Sequence, residues 1–176
     1  MSELMGEKVF LKILSPEDVG EEYLSWMNDK EVTQFLESRW TEYSLEDLKD
    51  YVKNINESSN NFIFGIFLKK TCAHIGNIKI GNINHHHGFG DLGFLIDKNY
   101  WNKGYGTEAI KLATKYAFRN LGLRKLFAGI YSNNIGSYKA FLKSGYQEVG
   151  RLKKHHRYQN TYVDQILVEK FNNEVE

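Results

Sequence analysis

A chain of 176 residues with 41% hydrophobic and 26% charged side chains can bury one substantial core and is too apolar to be disordered. Its 23 basic residues are matched by 22 acidic ones, which excludes an electrostatic nucleic-acid binder, and no apolar run approaches the roughly 20 residues of a membrane-spanning helix. The one cysteine, Cys72, excludes an internal disulfide and a cysteine metal cluster, and the opening MSELMGEK lacks a signal peptide's apolar segment, so the expected compartment is the cytoplasm.

Val9 to Leu14 reads as a first strand. Ser15 as cap, Pro16 at the first helical position and the acids Glu17 and Asp18 then open a helix. It carries Val19, Tyr23, Leu24 and Met27 and ends near Asn28 and Asp29. A short second helix holds Val32, Phe35 and Leu36, and a third opens at Ser44 and runs through Leu48, Tyr51, Val52 and Ile55. After the polar turn at 57–61 the period changes from helical to extended. Phe62 to Leu68 and His74 to Ile83 form an antiparallel hairpin, and the loop at 85–90 leads into a fourth strand, Asp91 to Ile96. A glycine loop and a central helix follow, then a fifth strand from Lys125 to Tyr131, a helix from Ile135 to Ser144, and two last strands, Gln147 to Lys153 and Tyr162 to Lys170. Helices clustered early and a sheet interrupted by two helices predict an α+β (mixed α/β) fold in one domain, 1–176.

The chain is organised around the glycine loop. Gly104 and Gly106 bracket Tyr105 just before a run in which Ala109, Leu112, Ala113, Tyr116 and Ala117 recur at helical spacing. The first amides of a helix have no partner within it, and glycines let backbone approach a ligand, so such a loop suits an anion, most often a phosphate. Lys103 adds a charge beside it, and Thr107 is placed to cap the helix or donate its hydroxyl. A strand-to-helix turn with two glycines and no ligand fits the same stretch. Gly104-x-Gly106-x-x-Ala109 also matches the dinucleotide fingerprint, but the next strand ends in Tyr131-Ser132-Asn133 where an acid is wanted, and the Walker spacing is absent.

The loop resembles the acyl-CoA pyrophosphate loop of the GNAT superfamily of acetyl-CoA-dependent N-acetyltransferases, (Arg or Gln)-x-x-Gly-x-(Gly or Ala). Trp101 to Gly106 satisfies all but its first position. Tryptophan there is similar to the RimJ/RimL-type branch and its amino-sugar relatives, and the histidine loop at 85–87, Arg39 and the ending Gly150-Arg-Leu-Lys153 with Tyr162-Val-Asp164 resemble the pseudaminic-acid pathway enzymes. A second stretch, Asn134 to Ser137 followed by Phe141 to Tyr146, resembles the family's Asn-x-x-Ser and Lys-x-Gly-(Phe or Tyr) signature. The resemblance runs from about Lys8 to Lys170 and implies a central twisted sheet of about seven strands, mostly antiparallel, with the fourth and fifth parallel and splayed at one end. It implies that the pantetheine arm of acetyl-CoA fills that gap against Phe94, Leu95 and Ile96, that Asn102, Lys103, Gly104, Tyr105, Gly106 and Thr107 wrap the pyrophosphate, and that Asn134 and Ser137 lie near the thioester. No metal is implied, and relatives often pair through C-terminal strands, which makes a homodimer possible.

Acetyl transfer to an amine needs a base for the amine, a donor for the carbonyl oxygen and, for some enzymes, an acid for the thiolate. Asp91 stands where many relatives carry a carboxylate and is the first candidate base, through water if distant; Glu148 is the second. Many relatives place a tyrosine where Phe141 stands, so the candidate acids are Ser137 and Tyr138. Trp26, Asn28, Arg39 and Trp40 resemble the acceptor lid of the RimJ/RimL-type and amino-sugar enzymes. His85, His86 and His87 alternate in direction and lack a cysteine partner, which disfavours a metal and leaves a substrate loop or a plain loop. The basic cluster from Arg151 to Arg157 reads as a solvated strand and loop in preference to a phosphate-binding patch. The acceptor expected is a small molecule, a nucleotide-linked amino sugar; the alternatives are the N-terminal amine of a ribosomal or other protein, a polyamine, or a non-catalytic acyl-CoA-binding module.

Overall fold

The computed structural model describes residues 3–172. Its strands are β1 (Leu4–Met5), β2 (Val9–Ile13), β3 (Phe62–Leu68), β4 (His74–Asn84), β5 (Phe89–Ile96), β6 (Lys125–Tyr131), β7 (Gln147–Tyr158) and β8 (Thr161–Phe171). They form one sheet in the order β1-β2-β3-β4-β5-β6-β8-β7, antiparallel at every step except β5 with β6. The mixed fold and the one parallel pair are as the resemblance implied. The count is eight because β1 pairs by two residues, Leu4 with Leu11 and Met5 with Phe10, a strand too short to leave a periodicity in sequence.

Five helices cover the two faces: α1 (Glu21–Asn28), α2 (Lys30–Thr33), α3 (Leu45–Glu57), α4 (Tyr105–Arg119) and α5 (Ile135–Lys143). On one face Ala109, Ala113 and Ala117 of α4 are fully buried with Ile110 against Leu92, Leu126, Ala128 and Ile130 of the sheet. Alanine at four-residue spacing brings the helix axis close to the strands. On the other face α1 and α3 bury Tyr23, Trp26, Met27, Leu48, Val52 and Ile55 against Ile63, with Leu95 packed at the edge. The expected first helix is divided. Pro16–Asp18 is a 3-10 turn, Val19 and Gly20 are extended, and α1 begins at Glu21. Asp18 closes that turn early by accepting from the Ser15 amide and the Lys12 ammonium. The capping signal at Ser44 behaves as read: its hydroxyl accepts from Asp47 N–H while Asp47 accepts from Ser44 N–H.

His74 sits among aromatic rings, stacked on Phe67 at 4.6 Å with Trp26 edge-on at 5.0 Å, and its Nε2 is 2.8 Å from Asn77 Oδ1. Burial pushes its pKa below the ordinary histidine value, partly offset by the Asn77 bond; His156 is shifted the same way by burial. The folded chain thus takes up a proton less readily than the unfolded one. This stabilisation is complete above about pH 6.5 and is lost as the pH falls through the folded pKa values. The urea midpoint is expected to drop between pH 7 and pH 5, and His74→Gln to flatten that slope; an unaltered slope in the variant would show that His74 does not carry it.

Candidate functional site

β5 and β6 stay together for three residue pairs, Phe89 with Lys125 to Asp91 with Phe127. Beyond them β5 keeps β4 as partner as far as Ile96, and β6 keeps β8 as far as Tyr131, so the two diverge. Asp97 N–H is bonded to Ile75 O on the β4 side. Since backbone groups alternate along a strand, Gly93 and Leu95 also face β4, while Phe94 and Ile96 face the gap. Ser132 N–H, bonded to Asp164 O on β8, likewise turns Gly129 and Tyr131 toward it. Ile96 O is taken by the Trp101 indole N–H at 2.6 Å, and Tyr131 O by Asn134 N–H at 2.8 Å. The peptide groups of Phe94 and Gly129 are left facing a cleft of about 600 Å3. Buried peptide groups need partners, and an extended ligand with its own amides would supply them.

The gap leads to the start of α4. Gly104 is its N-cap at φ 85°, in the left-handed region, and its side-chain-free end leaves the amides of Tyr105, Gly106 and Thr107 without carbonyl partners in the helix. The helix opens two residues before Thr107, which therefore lies within the first turn and is not the cap. Gly106 is held against β5 so closely that a Cβ would come within 2.9 Å of the Phe94 ring. The acid of the first turn, Glu108, is drawn away to accept from the amides of Glu7 and Lys8, which keeps a negative charge off the amides. Lys8 Nζ stands 4.0 Å from where a Gly104 Cβ would be. An anion meets free amides, the positive end of a dipole and an ammonium there.

Most residues expected at the donor site line this cleft: Phe94, Leu95, Ile96, Asn102, Gly104, Tyr105, Gly106, Thr107, Asn134 and Ser137. Leu95 does so by its side chain, since its backbone belongs to β4. Lys103 is turned away, its ammonium donating to Asn99 O at 2.8 Å. Asn134 caps α5 by accepting from Ser137 N–H at 3.1 Å. Tyr138 points toward β7, where its hydroxyl donates to Glu148 at 2.8 Å; that bond raises its pKa, and Arg151 beside Glu148 lowers the acid's. Phe141 is buried edge-on between Phe94 and Tyr146. Asp91 ends the paired part of β5 and accepts from Asn82 Nδ2 at 2.6 Å. It shares a face with Gly93 and Leu95, roughly 13 Å before Leu95 at about 3.3 Å per residue, and the space around Gly93 is open.

The expected acceptor residues are scattered. His85, His86 and His87 form the β4–β5 turn at the far end of β5, with His85 on Ser59 O and His87 stacked on Phe89. Trp26 is a core residue. Asn28 ties the end of α1 to Tyr43 through both backbone groups. Trp40 is 68% exposed with the Arg39 guanidinium over its ring. Arg39 alone of this set borders the cleft, by bonding the Tyr131 hydroxyl at 2.6 Å. Sequence reasoning missed Lys8, Tyr131 and Asn133; the paired asparagines at 133–134 were the one local signal.

A parallel pair splayed over a helix N-terminus is the cleft of an acyl-CoA-using acyltransferase. Residues 8–147 match the family model described as Acetyltransferase (GNAT) domain, and the chain belongs to that family. It is an N-acetyltransferase, and the family's acyl donor is acetyl-CoA. Among curated proteins it is 26% identical to the uncharacterized N-acetyltransferase p20 of Bacillus licheniformis over 168 residues, 93% of each chain. It is 31% identical to the uncharacterized N-acetyltransferase YnaD of Bacillus subtilis over 130 residues, 73% of this chain and 74% of that one. Among solved structures it is similar to RimL, the ribosomal L7/L12 α-N-protein acetyltransferase in complex with coenzyme A, with TM-score 0.86 and 12% identity over 97% of this chain and 98% of that one. The spermidine N-acetyltransferase of Vibrio cholerae in complex with CoA and spermine gives 0.83 and 18% over 94% and 96%. At these identities the two structures share the fold.

Gly104→Ala forces a side chain into the left-handed region, so a loss of roughly 1–2 kcal/mol of stability is expected. It also disturbs the amides beside Lys8, so melting with and without CoA is expected to show less stabilisation by the ligand than in the parent; an equal shift would place the anion elsewhere.

Proposed function

We propose that the enzyme acetylates the primary amine of a nucleotide-linked amino sugar in a ternary complex, in the cytoplasm. The observation that carries the donor half is the gap between β5 and β6 ending on the free amides of α4. Asn102 and Gly104 to Thr107 would hold the pyrophosphate, Phe94 and Gly129 the arm, and Asn134 and Ser137 the thioester end. Bound there, acetyl-CoA supplies an activated acetyl group. The Phe94 N–H, facing the gap, is placed to stabilise a carbonyl oxygen that gains charge. Ser137 lies on the lining at the start of α5 and is the favoured proton donor. Asp91 is the favoured base, through water in the open space at Gly93.

For the acceptor half the support comes from β7, which reaches the end of the cleft through His156 on the Tyr131 ring. Arg157 offers its carbonyl to Arg39 at 2.8 Å, which brings β7 to the mouth. On that strand Arg151 and Lys153 are paired with Glu148 and Asp164. Lys154 and Arg157 are exposed, and among the described residues no carboxylate pairs with either. Unpaired cations on the strand that meets Arg39 suit a substrate that carries a diphosphate away from its amine.

A panel of nucleotide-linked amino sugars, the free amino sugars, spermidine and short peptides, followed by thiol release, tests this. Turnover is expected on the nucleotide-linked sugars, with KM raised about tenfold when the nucleotide is removed. Turnover restricted to spermidine or peptides would overturn the acceptor, and CoA stabilisation without turnover would favour a non-catalytic acyl-CoA-binding module. In the same assay Asp91→Asn is expected to lower kcat/KM by about 10²-fold. Ser137→Ala is expected to slow turnover more than Tyr138→Phe; the reverse order would move the acid to Tyr138.

A further inference from the structure

The face of the sheet carrying α1 to α3 holds a polar cluster at the cleft's end that the donor does not use. Tyr131, the last residue of β6, is 4% exposed and lines the cleft. Its hydroxyl donates to Glu37 Oε1 at 2.6 Å and accepts from Arg39 Nη1 at 2.6 Å. Arg39 is itself fixed by donating to Leu36 O at 2.7 Å and to Arg157 O at 2.8 Å. His156 stacks on the Tyr131 ring with centroids 3.9 Å apart, and its Nδ1 is 3.4 Å from Glu37 Oε1. Phe35 packs on the other side, 5.9 Å from Tyr131 and stacked on Tyr158 at 5.4 Å.

These bonds fix what the cleft is offered. The Tyr131 proton is committed to Glu37 and one lone pair to Arg39, so all that the phenol has left to offer a ligand is a second lone pair. Asn133 lines the same cleft with a buried Oδ1 that has no hydrogen-bond partner. An orphaned buried acceptor is costly, and a ligand donor would relieve it. The Glu37 side chain is 73% exposed and stands at the rim, tied to the cleft through the Tyr131 hydroxyl. Three oxygens that accept, beside the rings of Phe35 and Tyr131, recognise a molecule bearing several N–H and O–H donors on a compact body.

The geometry points to Tyr131, Asn133 and Glu37 as the subsite that reads the acceptor's amine and the hydroxyl next to it, with Arg39 and His156 as positioning residues that hold Tyr131 in one rotor state. This rests on the amino-sugar reading above and names the residues that would enforce it. A linear polyamine carries ammonium groups but no neighbouring hydroxyl, so it uses fewer of these acceptors.

The test measures acceptor KM and, by calorimetry on the CoA-loaded enzyme, acceptor Kd for the parent, Tyr131→Phe, Asn133→Ala and Glu37→Gln. Both the natural acceptor and an analogue lacking the hydroxyl beside the amine are used. Each variant is expected to raise KM and Kd for the natural acceptor about tenfold, while KM for acetyl-CoA moves less than about twofold. Tyr131→Phe or Asn133→Ala is expected to weaken the deoxy analogue much less, because the group that made the lost bond is absent. Equal losses for both ligands, or an unmoved Kd, would overturn the subsite. Should the parent turn over another amine and no amino sugar, the acceptor reading fails by itself, and the same variants on the amine that is used still decide whether these three oxygens bind it. Glu37→Gln keeps the shape of the side chain and serves where Tyr131→Phe melts early.

Discussion

Two parallel strands that are each fully paired on their outer edges cannot close on one another. β5 is locked to β4 by pairs running to Ile96, and β6 to β8 by pairs running to Tyr131, while their common ladder ends at Asp91 and Phe127. Phe94 stands against Gly106 on one side and Phe141 on the other, so helices α4 and α5 are packed into the same divergence. Closing the gap would break outer ladders and expel buried rings, each worth on the order of 1.5–3 kcal/mol. The gap is therefore a fixed feature of the fold, and the peptide groups of Phe94 and Gly129 remain there for a partner to satisfy.

The split assigns the two faces of the sheet to different tasks. On the α4 and α5 face, the free amides after Gly104 and the ammonium of Lys8 are arranged for an anion. On the opposite face the cleft meets Tyr131, whose hydroxyl is bonded to Glu37, and Asn133, whose buried side-chain oxygen has no partner. A thioester lying in the gap would reach an amine held on the far face without either ligand crossing the other, which is what direct attack in a ternary complex requires.

How much of this could be read in the sequence depended on the range over which each signal acts. The central loop was legible because Gly104 and Gly106 stand two residues apart and the alanines of α4 follow at one-turn spacing, so local sequence announces a glycine loop and a close helix, although it offered Thr107 as the cap where Gly104 is. Likewise Ser44 and Asp47 form their box within four residues. The break at Val19 and Gly20 was not legible, since the Lys12 ammonium that draws Asp18 inward comes from a neighbouring strand. Trp26 and Asn28 look like wall residues in a string, but an aromatic on a helix says nothing of which face it occupies until the sheet is in place. The cluster around Tyr131 is the extreme case. Glu37, Tyr131 and His156 belong to a 3-10 turn and two strands far apart in the chain, and no local pattern encodes their meeting.

Phe141 shows how packing constrains the chemistry that remains. It stands where many of the family carry a tyrosine, and here it is 2% exposed in a nest with Phe94 and Tyr146. Tyr146 turns its hydroxyl to Thr114 at 2.8 Å, so that corner already has the polar bond it can satisfy. A second phenol added there would need its own partner or leave a buried hydroxyl unpaired, at roughly 1–3 kcal/mol. With no proton to give at this position, a leaving thiolate must be met from the start of α5 or by solvent. Of the two hydroxyls there, Tyr138 is already donating to Glu148 outside the cleft, while Ser137 lies on its lining. A thiol's ordinary pKa is near 8.5, close enough to neutral that a weak donor suffices. The loss of the tyrosine is therefore compatible with turnover, provided that the amine, which starts from a higher pKa, is relieved of its proton on the opposite face.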